Sequence, residues 1–170
     1  EMQLEDEEKK EFISLINKNS DHLLKLINDI LDLSRIESGH ISFAYEICNL
    51  SELMDDVYNT HRLLMPDGVE LRKKIPEKPA IINTDRIRLT QVLTNFINNA
   101  TKFTEEGYIE IKYEYSDDNR FILLSVKDTG KGIPQEKIKQ VFERFQKLDE
   151  FAKGTGLGLA ISQSIIRTFK

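Results

Sequence analysis

Phe12, Ile16, Asn19, Leu23, Leu26, Ile30 and Leu33 recur at alternating spacings of four and three, the signature of a heptad seam on one long helix. The pattern predicts a helix from about Glu5 to Ser38, stopped by Gly39. Ile13, Leu24, Ile27 and Leu31 widen the apolar stripe beyond a two-strand seam, which suits a helical bundle. Asn19 inside the seam can fix register at some cost in stability. One helix has nothing of its own to bury such a stripe against. The segment therefore implies oligomerisation, or a partner helix upstream.

From Ile41 onward the elements are shorter. Ile41 to Ile47 alternates as a strand. Leu50 to Leu64 reads as a helix capped by Asn49 or Ser51. Val69 to Ile75 and Ala80 to Asn83 read as strands, and Asp85 to Phe103 as a helix. Tyr108 to Tyr115 and Phe121 to Val126 form a hairpin around Asp117-Asp118-Asn119. Gln135 to Val141 is a short helix and Gly156 to Phe169 a final one. Interleaved strands and helices predict an α+β fold, a mixed sheet covered by helices. At 170 residues the chain can bury a real core.

Charge and cysteine usage remove several function classes. A net charge of −5, from 24 basic and 29 acidic residues, offers no footprint for nucleic acid. Cys48 stands alone, so no intrachain disulfide forms, and a reducing compartment is expected. One Cys and three scattered His give no metal-ligand spacing. No apolar run approaches the about 18 residues that span a membrane, so no membrane contact is expected of this segment. The acidic start lacks a signal-peptide pattern, and both ends look cut.

Three segments carry chemistry. On the helix Asp85 to Phe103, Leu89, Leu93, Phe96, Ala100 and Phe103 form an apolar face. Gln91, Asn95, Asn98 and Lys102 lie roughly opposite, with Asn99 on the flank. Each Asn costs a helix ~0.6 kcal/mol against Ala, so three in five residues call for more than solvation. A carboxamide oxygen is a hard neutral ligand suited to Mg²⁺, and a Lys one turn away suits phosphate. A polar solvated face is the plainer alternative. The second segment is Asp128-Thr129-Gly130-Lys131-Gly132-Ile133-Pro134, directly after a strand. Its glycines let backbone approach a flat ligand, and its Asp can accept from an amino group such as adenine's; an ordinary turn reads the same way. The third is Gly154-Thr155-Gly156-Leu157-Gly158-Leu159, opening a helix. Helix N-termini favour phosphate, yet neither a P-loop ending nor a dinucleotide fingerprint is present. Between the last two, Phe142-Glu143-Arg144-Phe145-Gln146-Lys147 sets paired aromatics where they can anchor a mobile lid.

Taken together these segments resemble the N, G1, F and G2 boxes of sensor histidine kinases of two-component systems, in family order and at family-like spacing. The run Asp85 to Thr104 is a near-complete N box. The stretch Asp29-Ile30-Leu31-Asp32-Leu33-Ser34-Arg35-Ile36-Glu37-Ser38-Gly39 is similar to the second helix of that family's dimerisation hairpin. The resemblance covers about Phe12 to Lys170. It implies residues 1–40 as a partial hairpin and residues 41–170 as a Bergerat-type catalytic domain, an α/β sandwich binding ATP and Mg²⁺. It further implies that Asn99 ligates Mg²⁺ with Asn95 in support, and that Lys102 and Lys147 contact phosphates. Asp128 would read adenine, with Phe103, Gly130, Gly132 and Ile133 around it. Gly154, Thr155, Gly156, Leu157 and Gly158 would form the lid hinge facing the phosphates.

The implied partners are a second copy through the N-terminal helix and a receiver domain whose Asp takes the phosphate from a hairpin His. The implied location is cytoplasmic, as a free protein or as the inner part of an anchored sensor. Two departures stand out. The family's acceptor His precedes an acidic residue, whereas His22, His40 and His61 precede Leu23, Ile41 and Arg62; self-phosphorylation is not expected of this segment. The chain also stops at Lys170, before the family's closing strands. The alternatives are a Bergerat serine kinase or ATPase, which the heptad helix disfavours, and a non-catalytic dimerisation scaffold, which the intact boxes disfavour.

Overall fold

The heptad segment forms α1 (Asp6–Glu37), a single helix of 32 residues. The structure, a computed structural model, describes residues 6–39, 42–146 and 154–169. It divides into two units, residues 1–41 and 42–170. In the first unit Phe12, Ile16, Leu23 and Leu24 are each more than half exposed, so this part of the stripe lies open, while Leu33 near its end is buried.

The second unit begins with β1 (Glu46–Asn49) and α2 (Leu50–Arg62). β2 (Val69–Lys74), β3 (Ile81–Thr84) and α3 (Arg86–Phe103) follow. The chain continues through β4 (Gly107–Tyr115) and β5 (Ile122–Asp128), then two short 3-10 turns at 135–137 and 140–142, and ends on α4 (Gly158–Thr168). β1 and β3 pair antiparallel, with Cys48 opposite Ile82. The larger sheet has the order β2-β4-β5. β2 runs parallel to β4, and β5 runs antiparallel to it. The mixed sheet expected from the interleaved pattern is therefore present.

Period-two alternation fixes the faces of this sheet. Leu71, Ile109, Ile111 and Tyr113 point inward and pack with Leu53, Met54 and Val57 of α2 and Leu89, Leu93, Ile97 and Ala100 of α3. Each fully buried aliphatic side chain contributes about 1.5–3 kcal/mol. The helices start where carboxamide or carboxylate caps place them. Asn49 Oδ1 accepts from Ser51 N at 3.0 Å at the head of α2. Asp85 Oδ1 accepts from Arg88 N at 2.9 Å at the head of α3.

Three local expectations need correction. The strand read at 41–47 begins only at Glu46, because Phe43 and Tyr45 pack their rings with Phe169 instead of joining a ladder. The buried face of α3 runs through Ile97, which is fully buried, while Phe96 and Phe103 are half-buried. A face at spacings of four, four and three meets the sheet more squarely than the one through Phe96. The helix read at 135–141 is two isolated 3-10 turns.

Candidate functional site

With its aliphatic face on the sheet, α3 turns Asn95, Asn98, Asn99 and Lys102 away from the core. The three Asn are half-buried and Lys102 is exposed. Asn95 sits against α4: its Nδ2 donates to Ser162 Oγ at 2.8 Å. Gly158 closes on the same carboxamide. A Cβ at that position would overlap Asn95 Oδ1 and stand 2.8 Å from both Cγ and Nδ2. Asn95 thus clasps α4 to α3. Asn99, one turn on, makes no side-chain hydrogen bond to another described residue.

The glycine segments meet α3 at separate points. Asp128 ends β5, and its Oδ1 accepts from Gly130 N at 2.9 Å, an Asx turn. Gly130 lies against the end of α3, where a Cβ would overlap Phe103 O and stand 2.8 Å from its carbonyl carbon. Lys131 N donates to the same oxygen at 3.1 Å, and Lys131 Nζ lies 4.9 Å from the Phe103 ring centroid. Asp128 and Ile133 are exposed, and Gly132 has open space around it. Thr129, which sequence reasoning did not single out, accepts from Tyr108 N at 2.9 Å and ties this turn to β4.

At the third segment a Cβ on Gly154 would stand 2.9 Å from Lys102 Nζ. Gly156 adopts φ +72°, and a Cβ there would lie 2.8 Å from the Phe145 carbonyl carbon. Both its conformation and its surroundings require glycine. Phe145 N donates to Gly156 O at 3.0 Å. The F-box segment is therefore anchored here through backbone, since the Phe145 ring is 63% exposed. Thr155 Oγ1 accepts from Leu157 N at 3.2 Å. Leu157 is fully buried, which makes it a core anchor for α4. Lys147 lies outside the described residues. Ser162 is the neighbour of Asn95 that the sequence did not reveal, being one of several polar residues on α4. A surface hollow of about 360 Å³, lined by Ile138, Lys139, Phe142, Glu143, Gln163 and Arg167, includes none of the predicted site residues.

An Asn-bearing helix laid on a mixed sheet, met by glycine turns at its C-terminal end and along its polar face, defines a domain of the Bergerat ATP-binding class. Residues 84–170 match the family model described as histidine kinase-, DNA gyrase B- and HSP90-like ATPase, and residues 1–39 match that of the His Kinase A (phospho-acceptor) domain. The chain belongs to the histidine kinase-, DNA gyrase B- and HSP90-like ATPase family, here in its sensor histidine kinase form. It is 34% identical to two-component system protein A of Emericella nidulans, over 94% of this chain and 25% of that one. It is 29% identical to the sensor histidine kinase WalK of Bacillus subtilis, over 92% of this chain and 26% of that one. The chain thus spans about a quarter of these curated relatives. Among solved structures, full-length ShkA in complex with AMPPNP superposes with a TM-score of 0.82 at 30% identity, covering 96% of this chain and 34% of that one. The histidine kinase AdeS of Acinetobacter baumannii gives 0.76 at 26% identity, covering 98% and 75%.

Proposed function

We propose that the α/β unit binds ATP with Mg²⁺ along the polar face of α3. The γ-phosphate then passes to a His on a hairpin helix, and from there to an Asp of a receiver domain. The observation that carries this reading is the convergence of glycines on α3. Side chains are missing at Gly130, Gly154 and Gly158, where backbone comes up against Phe103, Lys102 and Asn95. Asp128 and Ile133 are exposed beside the first of these contacts, available to an adenine ring.

The residues present fit Mg²⁺. Among the described residues no three His, Cys, Asp or Glu side chains cluster as a metal cage. Mg²⁺ ordinarily takes few protein ligands and completes its shell with phosphate and water, so one uncommitted carboxamide, Asn99, suffices. A bound Mg²⁺ neutralises charge on the phosphates. Lys102, and Lys147 by its place in the F box, would add positive charge there, while Asn95 keeps α4 and the glycine segment in position. Phosphoryl transfer asks for this positioning and charge compensation. The exposed stripe of α1 supports a homodimer, and with no acidic residue following any His the acceptor would come from another helix.

Calorimetric titration with Mg²⁺ and ATP, comparing the chain with Asn99→Ala and Asp128→Ala, tests the site. Binding that weakens at least about tenfold in both variants, the loss of one charge-assisted or buried hydrogen bond, supports it. Equal binding by all three chains removes the assignment.

A further inference from the structure

Asp85 uses both carboxylate oxygens, and capping explains only one. Oδ1 accepts from Arg88 N and caps α3. Oδ2 accepts from Ala44 N at 2.9 Å, 41 residues earlier in the chain. Ser, Thr or Asn would cap equally well. A second acceptor in the same place is needed only because the segment 42–45, which carries the chain from α1 to β1, is held there. Asp85 is 5% exposed, so both bonds are shielded from competing water.

The same segment is gripped a second time. The Phe43 ring meets Phe169 edge-on at 5.4 Å, and Tyr45 meets it at 6.4 Å. Phe169 caps the C-terminus of α4, and α4 is clasped to α3 by the Asn95–Ser162 bond. Both holds therefore end on α3, one directly through Asp85 and one through α4.

We propose that Asp85 is a positioning residue: it latches the segment arriving from α1 to the first turn of the helix bearing Asn95, Asn99 and Lys102. The segment at the head of the α/β unit is thereby held to the nucleotide helix through a carboxylate. The functional side of this rests on reading α3 as the nucleotide helix; the latch itself does not.

The test uses the full chain and two variants. Asp85→Asn retains a capping oxygen but leaves only one acceptor for two amides. Ala44→Pro removes the linker donor and leaves Asp85 and its cap untouched, so it answers even where Asp85→Asn folds poorly. Amide exchange followed by NMR should speed up at Ala44 by about tenfold or more in Asp85→Asn, while Arg88 stays protected. Spin labels at Ser42→Cys and Asn59→Cys, both exposed positions, report the distance between the segment 42–45 and α2 by EPR. Buried Cys48 is left in place, and unlabelled chain is added in excess to isolate the distance within one chain. The latch predicts a broader distance distribution in both variants, with ATP affinity within about twofold of the parent because the pocket residues are unchanged. A distribution equal to the parent's in Ala44→Pro overturns the proposal, as does a loss of ATP affinity that matches the loss of stability without broadening. A parent chain that binds no ATP would sink the nucleotide reading while leaving the distance measurement to judge the latch.

Discussion

Gly158→Ala should destabilise the α/β unit, although Gly→Ala at a helix position normally helps by at most about 1 kcal/mol. Gly158 has no positive φ, so the backbone accepts alanine, and the conflict is one of space. The new methyl would overlap Asn95 Oδ1 and stand 2.8 Å from Cγ and Nδ2. Asn95 has little room to retreat, because its Nδ2 is held at 2.8 Å by Ser162 Oγ. Overpacking of this kind costs about 1–3 kcal/mol. Pushing Asn95 aside leaves the Ser162 hydroxyl, 2% exposed, without its partner, at about 1–3 kcal/mol more. The net loss is about 3 kcal/mol, a shift of roughly 1–3 M in the urea midpoint at an ordinary m-value. Gly132→Ala is the control: nothing lies within 4 Å of its Cβ position, and only its φ of +69° opposes the change, at about 1–2 kcal/mol. A cycle with Asn95→Ala should show coupling of at least ~1 kcal/mol, since removing Asn95 makes room for the methyl. A Gly158→Ala chain as stable as the parent, or more so, would refute the clasp.

Other outcomes follow from the same geometry. His61 is buried, bonded to Thr94 Oγ1 at 3.3 Å, and burial holds its pKa below the usual 6.5. The unfolded chain therefore takes up a proton at a higher pH than the folded one, and stability present above pH 6.5 declines as pH falls toward the folded value; His61→Gln should flatten this decline in urea titrations at pH 7.5 and 5.5, and an unchanged slope would count against it. Tyr113→Phe removes a hydroxyl within 2.6 Å of Ser51 Oγ and 3.4 Å of Ala80 N; a loss of about 1–2 kcal/mol with unchanged m-value is expected. Leu23→Asp on the open stripe of α1 should halve the mass seen by light scattering, whereas a dimer that survives would move the self-association surface elsewhere.

Much of the fold was legible because most elements carry their own period. The heptads of α1, the alternation of β4 and the cap at Asn49 each act locally, and the structure places each near its predicted start. The misplacements arose where distant contacts decide. Nothing in Phe43 or Tyr45 announces Phe169 as their partner, so their alternation read as a strand. On α3, Phe96 and Ile97 are both apolar and adjacent, and only the sheet's position selects Ile97 for the core. In the site, Gly130, Gly154 and Gly158 were visible as glycines, but what each one makes room for lies elsewhere in the chain.

The helix penalties of Asn95 and Asn99 are met differently. Asn95 is compensated within the protein, because its carboxamide bonds Ser162 and packs against Gly158. Its presence would be explained even in a chain that never met a nucleotide. Asn99 has no such hydrogen-bond partner among the described residues, so no described side chain offsets its cost to α3 through a hydrogen bond. Under the proposed function, Asn99 and not Asn95 is the carboxamide that would hold Mg²⁺. Asn95→Ala should therefore lower stability first and nucleotide affinity second, and Asn99→Ala should lower nucleotide affinity while leaving stability equal or slightly higher.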